Sequence, residues 1–257
     1  IRKKIKKIKK ENKCFDEKKQ NDIINKLDFS LTNDQVKTLN EINKDLKSSK
    51  KMFRLLQGDV GSGKTIVSLL AAYNTVKSGF QVAIMAPTEI LARQHYNLAK
   101  KIFSDDLNVQ LISGKSDYKT KKDILNKLAI NKIDIIFGTH AIFQKKVVYK
   151  NLGLIIIDEQ HKFGVNQRKK LSDKGGNNCD VLLMTATPIP RTLTMTMYGD
   201  MDLSIISEKP KLRKPIKTYS KLEIKIDDII KFIKKEIKVG NQIFWVCPLI
   251  EESKKLD

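Results

Sequence analysis

The run Gly58-Asp59-Val60-Gly61-Ser62-Gly63-Lys64-Thr65 holds the residue types that cradle a polyphosphate, at the spacing the task requires. It fits the pattern G-x-x-x-x-G-K-[ST] at every position. Glycines let successive backbone N–H groups turn inward on phosphate oxygens, and a following helix N-terminus adds partial positive charge. Lys64 would reach the β- and γ-phosphates of ATP as a point charge, and the Thr65 hydroxyl would ligate Mg²⁺. A second constellation lies 94 residues downstream, where Asp158 and Glu159 end the aliphatic run Leu154-Ile155-Ile156-Ile157. One acid can hold Mg²⁺ through its water shell, and the other can orient or deprotonate the water that attacks the γ-phosphate. Gln160 and His161 follow directly and can sense the γ-phosphate by hydrogen bonding. Thr185 and Thr187 offer hydroxyls after another apolar run. Thr187-Pro188 also reads as a helix N-cap and first-turn pair, and both readings stand.

These groups need elements to hold them. Met52–Gln57 reads as a buried strand before the glycine loop, and Ile66–Tyr73 as an apolar helix after it. Further strands are expected at 81–86, 109–112, 133–137, 154–157 and 181–187, with helices beginning near Glu89 and over 117–130. Strands so uniformly apolar, spaced by helices, imply a parallel sheet covered on both faces. In such sheets ligands bind at the carboxyl ends of the strands, and each polar cluster just named follows a strand. Phe29-Ser30-Leu31-Thr32-Asn33-Asp34-Gln35 precedes the first strand. Thr32 is a good N-cap for a helix whose inner face is Val36, Leu39 and Ile42. The Gln35 amide can also pair with the N6 and N7 edge of adenine while Phe29 stacks on the base. The residues alone leave both readings open.

Composition bounds the rest. The 257 residues carry a net charge of +21, which predicts attraction to a polyanion, nucleic acid first and an anionic membrane second. Lysine-biased codon usage is the plainer explanation. Cys14, Cys179 and Cys247 lie far apart, and the histidines are scattered, so neither a disulfide framework nor a zinc site is suggested. That fits a reducing, cytoplasmic setting. No apolar run is long enough for a membrane span. The first residue is Ile1, so the sequence reads as a piece of a longer chain. Residues 1–28 read as a basic helical lead-in from a preceding domain, with Ile1, Ile5 and Ile8 as a narrow stripe. DNA phosphates or a membrane surface are its alternative neighbours. Residues 208–217 read as an extended basic linker. A helix over 225–239 and a strand over 242–247 then open a second α/β unit, too short to be complete.

The clusters QGDVGSGKT (57–65), APTEILARQH (86–95), GTHAIFQ (138–144), DEQHKFGVNQR (158–168), TATPIPRTL (185–193) and WVCPLIEES (245–253) together resemble the motor of superfamily 2 helicases. Within it they look most like the RecG family of ATP-dependent branch-migration helicases. The related transcription-repair coupling factors typically have Glu where this chain has Gln160. The resemblance covers residues from about Phe29 to the end. It implies a RecA-like sheet over 29–207 and a truncated second RecA-like unit over 218–257. It implies that Gly58 to Thr65 bind ATP–Mg²⁺, that Asp158 and Glu159 act as above, and that Phe29 and Gln35 take the adenine. It further implies that Pro87, Thr88, Arg93, Gly138, Thr139 and His140 track one DNA strand through its phosphates. Thr185, Ala186 and Thr187 would couple hydrolysis to domain motion. The expected partner is branched or single-stranded DNA, bound by a monomer. An upstream wedge domain and a complete second motor domain, with its arginine fingers, are expected to lie outside these residues. Two other readings stay open: a coupling-factor translocase, and an ATP-responsive DNA-binding module without catalysis.

Overall fold

A computed structural model describes residues 9–104, 106–114, 117–144, 146–159, 176–187, 201–210 and 217–246. The chain divides into two compact units, Ile1–Arg213 and Lys214–Asp257.

In the first unit the aliphatic runs become strands, because a sheet buried on both faces has no solvent side on which polar residues could alternate. Among the described residues the strands are β1 (Phe53–Gly58), β2 (Gln81–Met85), β3 (Val109–Ile112), β4 (Ile135–Gly138), β5 (Leu152–Ile157), β6 (Asp180–Thr185) and β7 (Asp202–Ile206). They form one sheet in the order β3-β4-β2-β5-β6-β1-β7. Every pairing in it is parallel. The helices are α1 (Glu17–Asn25), α2 (Asn33–Lys47), α3 (Lys64–Lys77), α4 (Glu89–Phe103) and α5 (Tyr118–Ala129).

The period of two along each strand sorts the core into two layers. Leu154 and Ile156 join Val82, Ile84, Leu182 and Met184 beneath Leu69 and Leu70 of α3, Leu39 and Ile42 of α2, Ile23 of α1 and Ala99 of α4. Ile155 and Ile157 face the other way, with Ala83, Met85, Val181 and Leu183, against Ile124 and Leu128 of α5. The strand β7 was not expected. Its run of Asp202 to Ile206 alternates in burial, as an edge strand can, and so lacks the continuous aliphatic signature of its neighbours.

The lead-in departs from its expectation. Residues Ile1, Ile5 and Ile8 lie outside the described residues. Lys9 forms a short antiparallel bridge to Lys50, and among the described residues no helix begins before Glu17. Residues 9–28 are woven into the first unit. Lys10 and Lys13 both reach Asp180, at 2.5 and 2.7 Å, with side chains sealed from solvent. Ile23 enters the core. The charge-assisted hydrogen bonds to Asp180 offset the cost of taking the two ammonium groups out of water.

The second unit, taken by itself, has a 3₁₀ turn at Glu223–Lys225 and the helix α6 (Ile226–Lys238). No residue of α6 is buried, and Phe232 and Ile237 are exposed. The strand expected at 242–247 does not form over its described part, 242–246. A strand with no neighbour leaves its N–H and C=O groups without a ladder to join, whatever its β-propensity.

Candidate nucleotide site at the carboxyl edge of the sheet

Three adjacent strands, β5, β6 and β1, deliver Asp158, Thr185 and Gly58 to the same edge of the sheet. One strand separates the acids from the glycine loop, so their strand ends lie two steps of about 4.8 Å apart.

The loop is shaped by its glycines. Gly63 sits at φ +88, the left-handed region that costs a side-chain-bearing residue about 1–2 kcal/mol. A Cβ there would lie 2.2 Å from Gln35 Nε2. Gly58 makes room in the same way, since a Cβ on it would meet Ser62 Oγ at 2.5 Å. Gly63 caps α3, whose first residues are Lys64 and Thr65. The Lys64 ammonium folds back over the loop, donating to Gly58 O at 2.7 Å and Asp59 O at 3.1 Å. Burial holds its pKa below the usual lysine value, against the opposing pull of Glu159, Asp158 and Asp59. Ser62 Oγ is buried and has no hydrogen-bond partner among the described residues.

At the facing strand end, Asp158 is buried and Glu159 half-buried. Glu159 adopts φ +49, a strained position for a residue with a Cβ. The Glu159 N–H donates to Asp158 Oδ1 at 3.0 Å. Asp158 Oδ2 lies 2.8 Å from His95 Nε2. Between the two strand ends, Thr185 is buried, and its Oγ1 accepts from the N–H of Thr187 at 3.1 Å. Ala186 is half-buried and Thr187 exposed. Gln160 and His161 lie outside the described residues.

Beside the loop opens a cavity of ≈ 620 Å³ lined by Phe29, Leu31, Thr32, Gln35, Gly63 and Ile66 among others. Gln35 does more there than sequence reasoning assigned it. Its Oε1 accepts from Thr32 N–H and its Nε2 donates to Ser62 O, at 2.9 and 2.8 Å. It thus closes a capping box on α2 and clamps the glycine loop. A Gln amide keeps a second hydrogen and a second lone pair after those two bonds. The capping-box spacing from Thr32 to Gln35 was the signal available for the first of these roles.

The remaining predicted residues gather at the neighbouring half of the same edge, on β2 and β4. Pro87 and Thr88 follow β2, and Thr88 caps α4 by accepting from Leu91 N–H at 3.3 Å. Arg93 is exposed one turn on and approaches Glu89 at 3.5 Å. Gly138 ends β4, Thr139 is half-buried and His140 exposed. Hydrogen bonds from Ser113 Oγ and the Gly114 N–H hold the Glu89 carboxyl below its usual pKa and tie α4 to the end of β3.

A nucleotide with its metal fits this edge by its chemistry. A backbone concavity, a hydroxyl with no partner, a lysine resting on carbonyls and paired acids stand together, and Mg²⁺ in such sites takes one or two carboxylates and keeps its waters.

Residues 32–196 match the model of the DEAD/DEAH box helicases. The chain belongs to that family. Its sequence is 52% identical over 235 residues to the ATP-dependent DNA helicase RecG of Bacillus subtilis (strain 168), covering 91% of this chain and 34% of that protein. It is 48% identical over 255 residues to the RecG of Aquifex aeolicus (strain VF5), covering 98% of this chain and 32% of that one. The chain thus spans about a third of the length of the curated relatives it matches. In fold it superposes on RecG bound to a three-way DNA junction with a TM-score of 0.85 at 41% identity, over 97% of this chain and 34% of that one. A DEAD-box helicase bound to single-stranded RNA shares the fold alone, with a TM-score of 0.64 at 21% identity, over 87% of this chain and 51% of that one. Among the described residues no helix is long and apolar enough to cross a membrane.

Proposed function

We propose that the first unit is the ATP-binding motor domain of a RecG-type DNA helicase, acting in the cytoplasm on branched DNA such as stalled forks and Holliday junctions. The observation that carries this reading is that β1 and β5, one strand apart, bring the glycine loop with Lys64 and the acid Asp158 to one carboxyl edge. A lysine held by loop carbonyls can change partners when a triphosphate arrives. In that exchange Lys64 moves from Gly58 O and Asp59 O to phosphate oxygens, and the loop N–H groups complete the cradle.

Thr65 and Asp158 would hold Mg²⁺, which would supply positive charge to offset that of the phosphates. Glu159 would orient the attacking water and take its proton. Phe29 and the uncommitted half of the Gln35 amide would select adenine. Thr88, Arg93, Thr139 and His140 would hold one DNA strand by its phosphates along the adjoining half-edge. The domain plan follows the same reading: residues 208–217 as a tether and 218–257 as the opening of a second RecA-like unit. Turnover stimulated by DNA would need that second unit complete, because the arginine that stabilises the transition-state charge is supplied from there.

The test is nucleotide binding by the chain itself. A fluorescent ATP analogue should bind the chain, and Lys64→Ala should weaken it about 10- to 100-fold, as expected when a charge-assisted hydrogen bond is lost. Unchanged affinity in Lys64→Ala would remove the site from this edge.

A further inference from the structure

His95 lies on α4, outside every role assigned so far, yet its side chain touches Asp158 directly. Its Nε2 is 2.8 Å from Asp158 Oδ2, in a contact that joins residues 63 positions apart. Both residues are about nine-tenths buried. An ionised carboxylate can only accept, so the contact requires Nε2 to carry the hydrogen. The other oxygen, Oδ1, accepts from the Glu159 N–H at 3.0 Å. The Asp158 backbone is fixed as well, its N–H donating to Met85 O at 2.8 Å. Among the described residues each carboxylate oxygen is therefore held by one donor, and rotating the group would break both bonds. One hydrogen bond per oxygen leaves a carboxylate lone pairs with which to accept from a metal-bound water.

We propose that His95 is the positioning residue for the metal-side carboxylate. From α4 it locks Asp158 in the orientation that receives hydrated Mg²⁺ at the glycine loop. The proposal rests on the nucleotide-site reading above. Partners that orient a metal-binding carboxylate typically contribute about 10- to 100-fold to metal affinity, without touching the metal.

The measurement is the Mg²⁺ dependence of ATP-analogue binding to the chain, from EDTA upward. In the wild type Mg²⁺ should tighten binding. His95→Ala should need roughly tenfold more Mg²⁺ for half of that tightening, with affinity in EDTA unchanged. His95→Gln, whose amide can donate from nearly the same place, should recover most of the difference. A merely structural histidine would not give this pattern. Removing it would lower the melting temperature and weaken binding with and without Mg²⁺ alike, equally in both variants, and that result would overturn the proposal. So would a His95→Ala chain whose Mg²⁺ midpoint stays within twofold of wild type. A wild-type chain that binds no nucleotide would overturn the site reading and take the role of His95 with it.

Discussion

The two ends of the same sheet carry buried charge in opposite states of completion. At the amino end, where β6 begins, Asp180 receives Lys10 and Lys13 on one oxygen. The Met52 N–H donates to the other at 2.7 Å. Gln81, where β2 begins, donates to Leu128 O and Ile133 O and accepts from Lys150 N–H and Asn151 N–H. At the carboxyl end, by contrast, Ser62 Oγ has no partner among the described residues and Lys64 rests on two carbonyls. Glu159 sits in strained backbone. Burial and charge alone thus do not mark a working site, since Asp180 is as deep as any acid here. What separates the two ends is where the charged groups rest. At the amino end the lysines close on a carboxylate, and at the carboxyl end Lys64 rests on neutral carbonyls, which a phosphate can replace. An unpartnered polar atom is found at both, Asn74 Oδ1 and Ser62 Oγ among the described residues.

Exchanging the roles would break this contrast. Asp180→Ala should give the largest effect, because it strands two buried ammonium groups. Burial already pulls the Lys10 pKa down against the attraction of Asp180. Removing one partner of such a group typically costs about 3–5 kcal/mol, readable in urea denaturation. The fraction that still folds should bind the ATP analogue as wild type does. A loss of nucleotide affinity matching the loss of stability would show that the two ends are not separable. Next comes Gly63→Ala, at the carboxyl end, which attacks stability and nucleotide binding at once. The φ of +88 makes any Cβ strained, by about 1–2 kcal/mol, and the new carbon would push Gln35 off Ser62 O. Stability should fall by about that amount, and analogue affinity at least tenfold, since the cradle loses its clamp. If affinity survives, Gln35 does not shape the loop.

How much of this was readable in advance follows the same line between local and distant bonds. The glycine loop, the acid pair after β5 and the core strands are written in contiguous residues, so periodicity and spacing reveal them. The bond from His95 to Asp158 spans 63 positions, and those from Lys10 and Lys13 to Asp180 span 170 and 167. No local pattern distinguishes a lysine in a basic run that will find a buried acid from one that stays in water. That is why the lead-in was expected as a solvated helix. β7 escaped because an edge strand need not be apolar on both sides. The strand expected over 242–247 does not form over its described part, 242–246, for the complementary reason: Phe244, Trp245 and Val246 have the right propensity and, among the described residues, no ladder to join.

The finest comparison lies within the carboxyl edge itself, between the nucleotide half and the half proposed to hold DNA. Thr88 has two tasks there that a single alanine would confuse. Its Oγ1 accepts from Leu91 N–H, capping α4, and its hydroxyl hydrogen remains available to a phosphate oxygen. Thr88→Ala should cost about 1 kcal/mol of stability through the lost cap. Thr88→Asp keeps an equal or better cap and brings a negative charge to the same place. Its thermal melt should match wild type, while affinity for a single-stranded oligonucleotide, followed by fluorescence anisotropy at fixed salt, should drop about fivefold, the equivalent of roughly 1 kcal/mol. Equal DNA affinity in wild type and Thr88→Asp would leave Thr88 a helix cap and nothing more. The strand would then have to be held by Arg93, Thr139 and His140 without it.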